Sequence, residues 1–194
     1  LYSGQMQFRT LGKTGLNVSL LSLGTGGARQ LGQSQGMSQP QQTTLVRSAL
    51  DLGVNLIDTS GEYGESETIL GHALKEVPRE DYNICTKWPP WVDGELAEDS
   101  TLLVNSLELS LKRLQTDHVE ILLFHGPPAG EYHNLVDRFY PTMDKLRNQG
   151  KIGFIGLSTQ YSVEPTQTVA NIALKENPDL WDVLMLKYGI LNQH

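Results

Sequence analysis

Short apolar runs recur along this chain at residues 20–23, 54–57, 82–86, 119–124, 152–157 and 183–186, their starts 34, 28, 37, 33 and 31 residues apart. Each has the length of a strand and not of a helix, and most are almost continuously apolar, as strands covered on both faces must be. A repeat of about thirty residues is too long for a hairpin and suits a strand, a crossover helix and a parallel strand. Helical patterns fill the gaps. Residues 41–52 stop at Gly53, a C-cap glycine. Residues 100–114 line up Leu103, Leu107, Leu111 and Leu114 on one stripe behind Ser100 as N-cap. Residues 135–149 end in a basic turn at Arg147 and stop at Gly150. Shorter helices fit 66–76 and 164–175. Ahead of the first run, Gly12 and Gly15 bound a turn between 8–9 and 16–19, which reads as a hairpin.

Two architectures accommodate this alternation, an open doubly wound sheet and a (β/α)8 barrel. The open dinucleotide-binding sheet calls for G-x-G-x-x-G after its first strand. Here the stretch is Gly24-Thr-Gly-Gly-Ala-Arg29, without the third glycine, and no phosphate-binding P-loop motif exists. The polar residues decide for the barrel. Asp58 follows Val-Asn-Leu-Ile, Lys87 follows Asn-Ile-Cys-Thr, His125 follows Ile-Leu-Leu-Phe, and Ser158 follows Phe-Ile-Gly-Leu. Groups at the carboxyl ends of successive strands converge on one face of a closed barrel, where barrel enzymes keep their chemistry. An open sheet would spread them apart.

Composition narrows the function classes. With 194 residues, 39% of them hydrophobic, the chain can bury a core and suggests one domain or part of one. A net charge of −7 argues against nucleic acid or an anionic membrane as partner. No apolar run approaches the roughly 18 residues of a membrane span. The single cysteine, Cys85, lies in a strand-like stretch and reads as a packed thiol, which fits a reducing cytoplasm. No H-E-x-x-H or clustered Cys and His appears, so no metal site is expected. Residues 1–5 precede Met6 and are set aside from the fold.

Asp58, Tyr63, Lys87 and His125 form a chemically coherent set. A phenol is a poor proton donor at neutral pH unless a neighbouring ammonium stabilises its phenolate, and Lys87 can supply that charge. A buried lysine keeps its proton only beside a carboxylate such as Asp58. An imidazole, His125, can hydrogen-bond and orient a substrate oxygen. Such a set donates a proton to a carbonyl becoming an alcohol but supplies no electrons, so a hydride carrier is needed, and nicotinamide is the usual one.

These residues and their surroundings identify a resemblance. FRTLGKTGLNVS, LSLGTGG, ALDLGVNLIDTSGEYGESE, ICTKW, LELSLKRLQTDHVEILLFHGPP and GKIGFIGLS stand in the order found in the aldo-keto reductase family, (β/α)8 enzymes that reduce carbonyls with NADPH. The resemblance covers residues 6–194, a single barrel domain of which about six βα units are present, with an N-terminal β-hairpin. It implies a catalytic tetrad of Asp58, Tyr63, Lys87 and His125, with Tyr63 as the acid. It also implies that Thr25 and Asp58 flank the nicotinamide ribose and that Ser158 holds the carboxamide, with Thr159, Met185 and Tyr188 completing the cofactor side. Thr159 stands where the family usually has Asn, and Met185 where a carboxamide-binding Gln is expected.

Each residue also has an ordinary structural reading. Asp58 suits a strand-end turn, Tyr63 a loop, Lys87 a solvated rim, and His125 before Gly-Pro-Pro a backbone partner; His72, His118 and His133 keep that reading. Joint order and strand placement favour a site for the first four. Trp88 and Trp91 follow Lys87 directly and are expected to wall a substrate pocket. Sugars and small aldehydes or ketones stay open as substrates. The strand rhythm places two further units beyond His194, and the resemblance implies that these hold the loop that grips a 2′-phosphate, so the expected cofactor is NADP, with NAD left open. Two rivals remain: a non-catalytic NADPH-binding regulatory subunit, and an inactive truncated barrel.

Overall fold

The periodic runs become strands close to where the pattern sets them. The computed structural model describes residues 4–160 and 164–189; of the residues set aside at the start, 1–3 lie outside that description. An antiparallel hairpin pairs β1 (Phe8–Thr10) with β2 (Asn17–Ser19). There follow β3 (Leu23–Gly24), α1 (Gln39–Asp51), β4 (Leu56–Asp58), α2 (Ser66–Leu74), β5 (Asn83–Trp88), β6 (Trp91–Val92) and β7 (Glu95–Leu96). The order continues with α3 (Thr101–Leu114), β8 (Val119–His125), α4 (Tyr132–Asn148), β9 (Ile152–Ser158), α5 (Thr168–Glu176) and β10 (Val183–Met185).

The chain divides into two units. One runs to Thr86 and takes in Glu108–Glu120; the other comprises Lys87–Leu107 and the residues from Ile121 onward. In the first, β3 and β4 pair in parallel, Gly24 opposite Asp58, and β4 and β5 pair likewise, Asp58 opposite Cys85. The helix α1 starts on a capping box of Ser38 and Gln41 and packs against α2. It stops at Gly53, whose φ of 90° only glycine adopts without strain. Val46, Ile57, Leu70, Ala73 and Ile84 are fully buried here.

The first apolar run departs from expectation. Only Leu23 and Gly24 pair, while Leu20 and Leu21 are 61% and 66% exposed. Local hydrogen bonds explain this. The Ser19 hydroxyl donates to the Leu21 carbonyl (2.6 Å) and bends the chain, and the Ser19 N–H donates to Asn55 Oδ1 (2.6 Å). Asn55 is thereby engaged with the hairpin, its Nδ2 donating to the Asn17 carbonyl at 2.9 Å, and β4 begins only at Leu56.

In the second unit β9 lies between β8 and β10, and it pairs in parallel with β10, Ser158 opposite Met185. Gly156 is required there: a Cβ would sit 2.1 Å from the Val183 carbonyl oxygen. The core includes Phe124, Leu135, Phe139, Met143 and Ile155. In α3 the stripe of Leu103, Leu107, Leu111 and Leu114 is buried as its spacing requires. Its N-terminal carboxylate comes from Asp99, one residue before the expected Ser100. Asp99 accepts from the Thr101 N–H at 2.8 Å and from the Thr101 hydroxyl at 2.6 Å. The loop after β5 holds the small antiparallel hairpin β6–β7, which periodicity did not signal.

The hydrogen bonds from Thr101 hold the Asp99 carboxyl below its ordinary value of 3.8. A depressed carboxylate adds stability above its unfolded value and loses it as pH falls through the folded one. Asp99→Ala is therefore expected to lower the urea midpoint at neutral pH, with the gap to wild type closing below about pH 3.8.

Candidate active site

Asp58 is the last residue of β4. Its backbone carbonyl accepts the Thr25 N–H at 2.9 Å, and the next amide, Thr59, donates to the Cys85 carbonyl at 2.8 Å. The ends of β3, β4 and β5 are thus tied together just where the polar residues begin. Thr25 is fully buried, and its Oγ1 has no hydrogen-bond partner among the described residues. Such an orphaned hydroxyl is costly unless a ligand satisfies it.

Tyr63 lies on the turn between β4 and α2. Its N–H donates to the Ser60 carbonyl at 3.0 Å, and its own carbonyl accepts from Ser66 at 3.1 Å. The half-buried ring rests on Gly26: a Cβ there would be 2.8 Å from Tyr63 Cε2 and Cζ. Asp58, Thr25 and Tyr63 are therefore held in one unit by hydrogen bonds and by the bare backbone of a glycine.

Two polar residues beside them were not singled out by sequence pattern. Gln33 hydrogen-bonds the Tyr63 carbonyl at 3.2 Å. Glu67 is buried, accepting from the Thr86 hydroxyl at 2.7 Å with Arg113 Nη1 3.5 Å away, so it links the start of α2 to β5 and α3. The partners of both come from distant parts of the chain, so no local spacing marks them.

The second unit carries the other candidates. Lys87 is the penultimate residue of β5 and only 2% exposed. An ammonium that deep costs several kcal/mol unless an anion partners it. Trp88 next to it is core rather than rim: its ring meets Phe139 edge-on at 4.9 Å and lies 6.0 Å from Phe124. Trp91 is half-buried and lines a cavity of about 170 Å³ with Gly126, Pro127, Pro128, Gln160 and Glu164.

His125 ends β8, and the next amide, Gly126, donates to the Ser158 carbonyl at 2.8 Å. Ser158 ends β9 and is buried. The Thr159 N–H donates to the Met185 carbonyl at 3.0 Å, so these positions sit at adjoining strand ends. Gln167, buried and also unmarked by pattern, meets the Thr159 hydroxyl at 3.2 Å and donates to the Lys187 carbonyl at 3.0 Å. Tyr188 is 75% exposed.

Short strands alternating with helices, with ionisable and hydroxyl side chains at the carboxyl ends of the strands, are the arrangement of an α/β barrel protein. The Aldo/keto reductase family model matches residues 22–194, and the chain belongs to that family. It is 37% identical to the L-galactose dehydrogenase of Arabidopsis thaliana over 79% of this chain and 49% of that protein. It is 33% identical to a Schizosaccharomyces pombe protein that bears the name of a voltage-gated potassium channel subunit beta, over 88% of this chain and 50% of that one. Among solved structures, the thermostable aldo-keto reductase Tm1743, in complex with the inhibitor epalrestat, superposes with a TM-score of 0.76 at 28% identity. That match covers 94% of this chain and 63% of the other. The chain thus spans about half the length of the curated relatives it matches, and its fold is that of the family's α/β barrel. Among the described residues no helix is long and apolar enough to cross a membrane, and no His, Cys, Asp and Glu cluster could hold a metal.

The contact between Gly26 and Tyr63 leaves no space for a methyl group. Gly26→Ala is expected to displace the phenol ring and to lower stability by about 1–3 kcal/mol, the ordinary cost of overpacking. Chemical denaturation and the ring resonances of Tyr63 check both.

Proposed function

We propose that this aldo-keto reductase chain carries the proton-donating and cofactor-holding residues of an NADPH-dependent carbonyl reductase acting on sugars or other small aldehydes and ketones. Supporting this, Asp58, Lys87, His125 and Ser158 each lie at the carboxyl end of their own strand, within a family whose enzymes are oxidoreductases. Tyr63 donates its phenolic proton to the carbonyl oxygen as that carbon is reduced. The Lys87 ammonium stabilises the phenolate left behind, and the Asp58 carboxylate keeps the buried lysine charged. His125 donates a hydrogen bond to the same oxygen and fixes its direction.

The residues present suit a nicotinamide nucleotide. The unpartnered Thr25 hydroxyl offers a hydrogen bond to a ribose, beside Asp58, whose carbonyl accepts the Thr25 N–H. Buried Ser158 offers one to a carboxamide, with Met185 opposite it and Thr159 hydrogen-bonded to Met185, and Tyr188 is assigned to the cofactor with them. When bound, the cofactor supplies the hydride that no side chain here can provide. Trp91 forms the apolar wall for the substrate, while Trp88 packs in the core. The buried lone cysteine accords with a reducing cytoplasm as the place of work.

The test is oxidation of NADPH across a panel of aldehydes and ketones by wild type and Tyr63→Phe. Removing the proton donor is expected to lower kcat by about a hundredfold or more. Equal turnover would show that Tyr63 is not the acid. NADPH binding without turnover on any carbonyl would favour a regulatory binding role instead.

A further inference from the structure

We infer that Gln33 is a positioning residue for the Tyr63 phenol. This rests on the reading of Tyr63 as the proton donor and names the device that aims it. The Gln33 side chain bridges two loops of one unit. Its Nε2 shares two protons among the Gln30 carbonyl at 2.7 Å, the Ser66 hydroxyl at 3.0 Å and the Tyr63 carbonyl at 3.2 Å. Its Oε1 accepts the Glu65 N–H at 2.8 Å. A backbone N–H can only donate and a carbonyl can only accept, so the orientation of the amide is fixed by its partners. One side chain therefore grips the Tyr63 turn at the carbonyl of the phenol-bearing residue and at Glu65 and Ser66 just after it.

The surrounding backbone is shaped around this grip. Gln30, Leu31 and Gly32 all adopt positive φ, 43°, 56° and 82°, and two of the three are not glycine. Left-handed non-glycine residues are strained and persist where their surroundings hold them; here Leu31 is buried and anchors the segment. Gly64 has φ of 58°, and a Cβ on it would lie 2.5 Å from Gln33 Oε1. Any side chain at 64 would evict the amide. The Tyr63 ring also lies on Gly26, so the residue is held at its ring by a bare glycine and at its carbonyl by a glutamine. Ser66 completes the link, donating its hydroxyl proton to the Thr25 carbonyl at 2.9 Å. The aim of the proton donor is thus tied to the backbone beside the orphaned Thr25 hydroxyl.

The test compares wild type, Gln33→Ala and Gln33→Glu, with Gln35→Ala as an exposed control. It uses 13C-labelled tyrosine, with the Tyr63 resonance assigned through Tyr63→Phe, and steady-state kinetics with NADPH. Gln33→Ala is expected to shift or broaden the Tyr63 resonance and leave those of Tyr82, Tyr132 and Tyr140 in place. It should also lower kcat by about tenfold, with KM changing by less than about twofold, because misaligned groups lose rate before binding. Gln33→Glu keeps the acceptor but turns an oxygen toward two carbonyls. Its Tyr63 signal should be more perturbed at neutral pH than after protonation of the new carboxyl. Gln35→Ala should match wild type. A Tyr63 resonance unmoved in both Gln33 variants would overturn the proposal, as would a moved resonance with unchanged kcat. If wild type turns over no carbonyl, the donor role of Tyr63 falls, and the resonance alone decides whether Gln33 orders the phenol.

Discussion

The parallel register at the end of β4 is the constraint on which the candidate site depends. Gly24 and Cys85 stand opposite Asp58, and the carbonyls of Asp58 and Cys85 each take the amide of the residue just past a neighbouring strand. Those bonds fix where strand stops and loop starts. Slipping β4 by one residue would send the Asp58 carboxylate to the opposite face of the sheet. Thr25 and the turn to Tyr63 take their positions from the same ladder. The Asn55 bracket to the hairpin sets where β4 begins, so even the N-terminal turn helps place a carboxylate at the strand's far end.

Much of this was legible in the chain because burial writes itself into short patterns. The near-continuous apolar runs at 82–86, 119–124 and 152–157 became β5, β8 and β9 with small changes at their ends. The leucine stripe at 103, 107, 111 and 114 became the buried face of α3. Asp58, Lys87, His125 and Ser158 could be picked out because each interrupts an apolar run, and a polar group at the end of a buried strand needs a reason to be there. The family resemblance added the cofactor side, which no spacing in the sequence reveals.

What stayed hidden depends on contacts between distant residues. Leu20 and Leu21 have strand-forming side chains, yet one serine hydroxyl bends the chain and leaves both exposed. Gln33 sits in a glutamine-rich stretch where nothing distinguishes it from Gln30 or Gln35; only its four hydrogen bonds do. Glu67 and Gln167 are buried polar residues whose partners lie well away along the chain. Trp88 and Trp91 look equivalent in sequence, but one packs between phenylalanines and the other faces a cavity.

The proposed chemistry requires that the Tyr63 phenol donate its proton to a carbonyl oxygen that also accepts a hydrogen bond from the His125 imidazole. A crystal structure of the protein with oxidised nicotinamide cofactor and a carbonyl ligand measures this directly. The expected result is a ligand oxygen within about 2.6–3.2 Å of both the Tyr63 hydroxyl and a ring nitrogen of His125. A ligand oxygen bound elsewhere, or a Tyr63 hydroxyl turned away from it, would contradict the account.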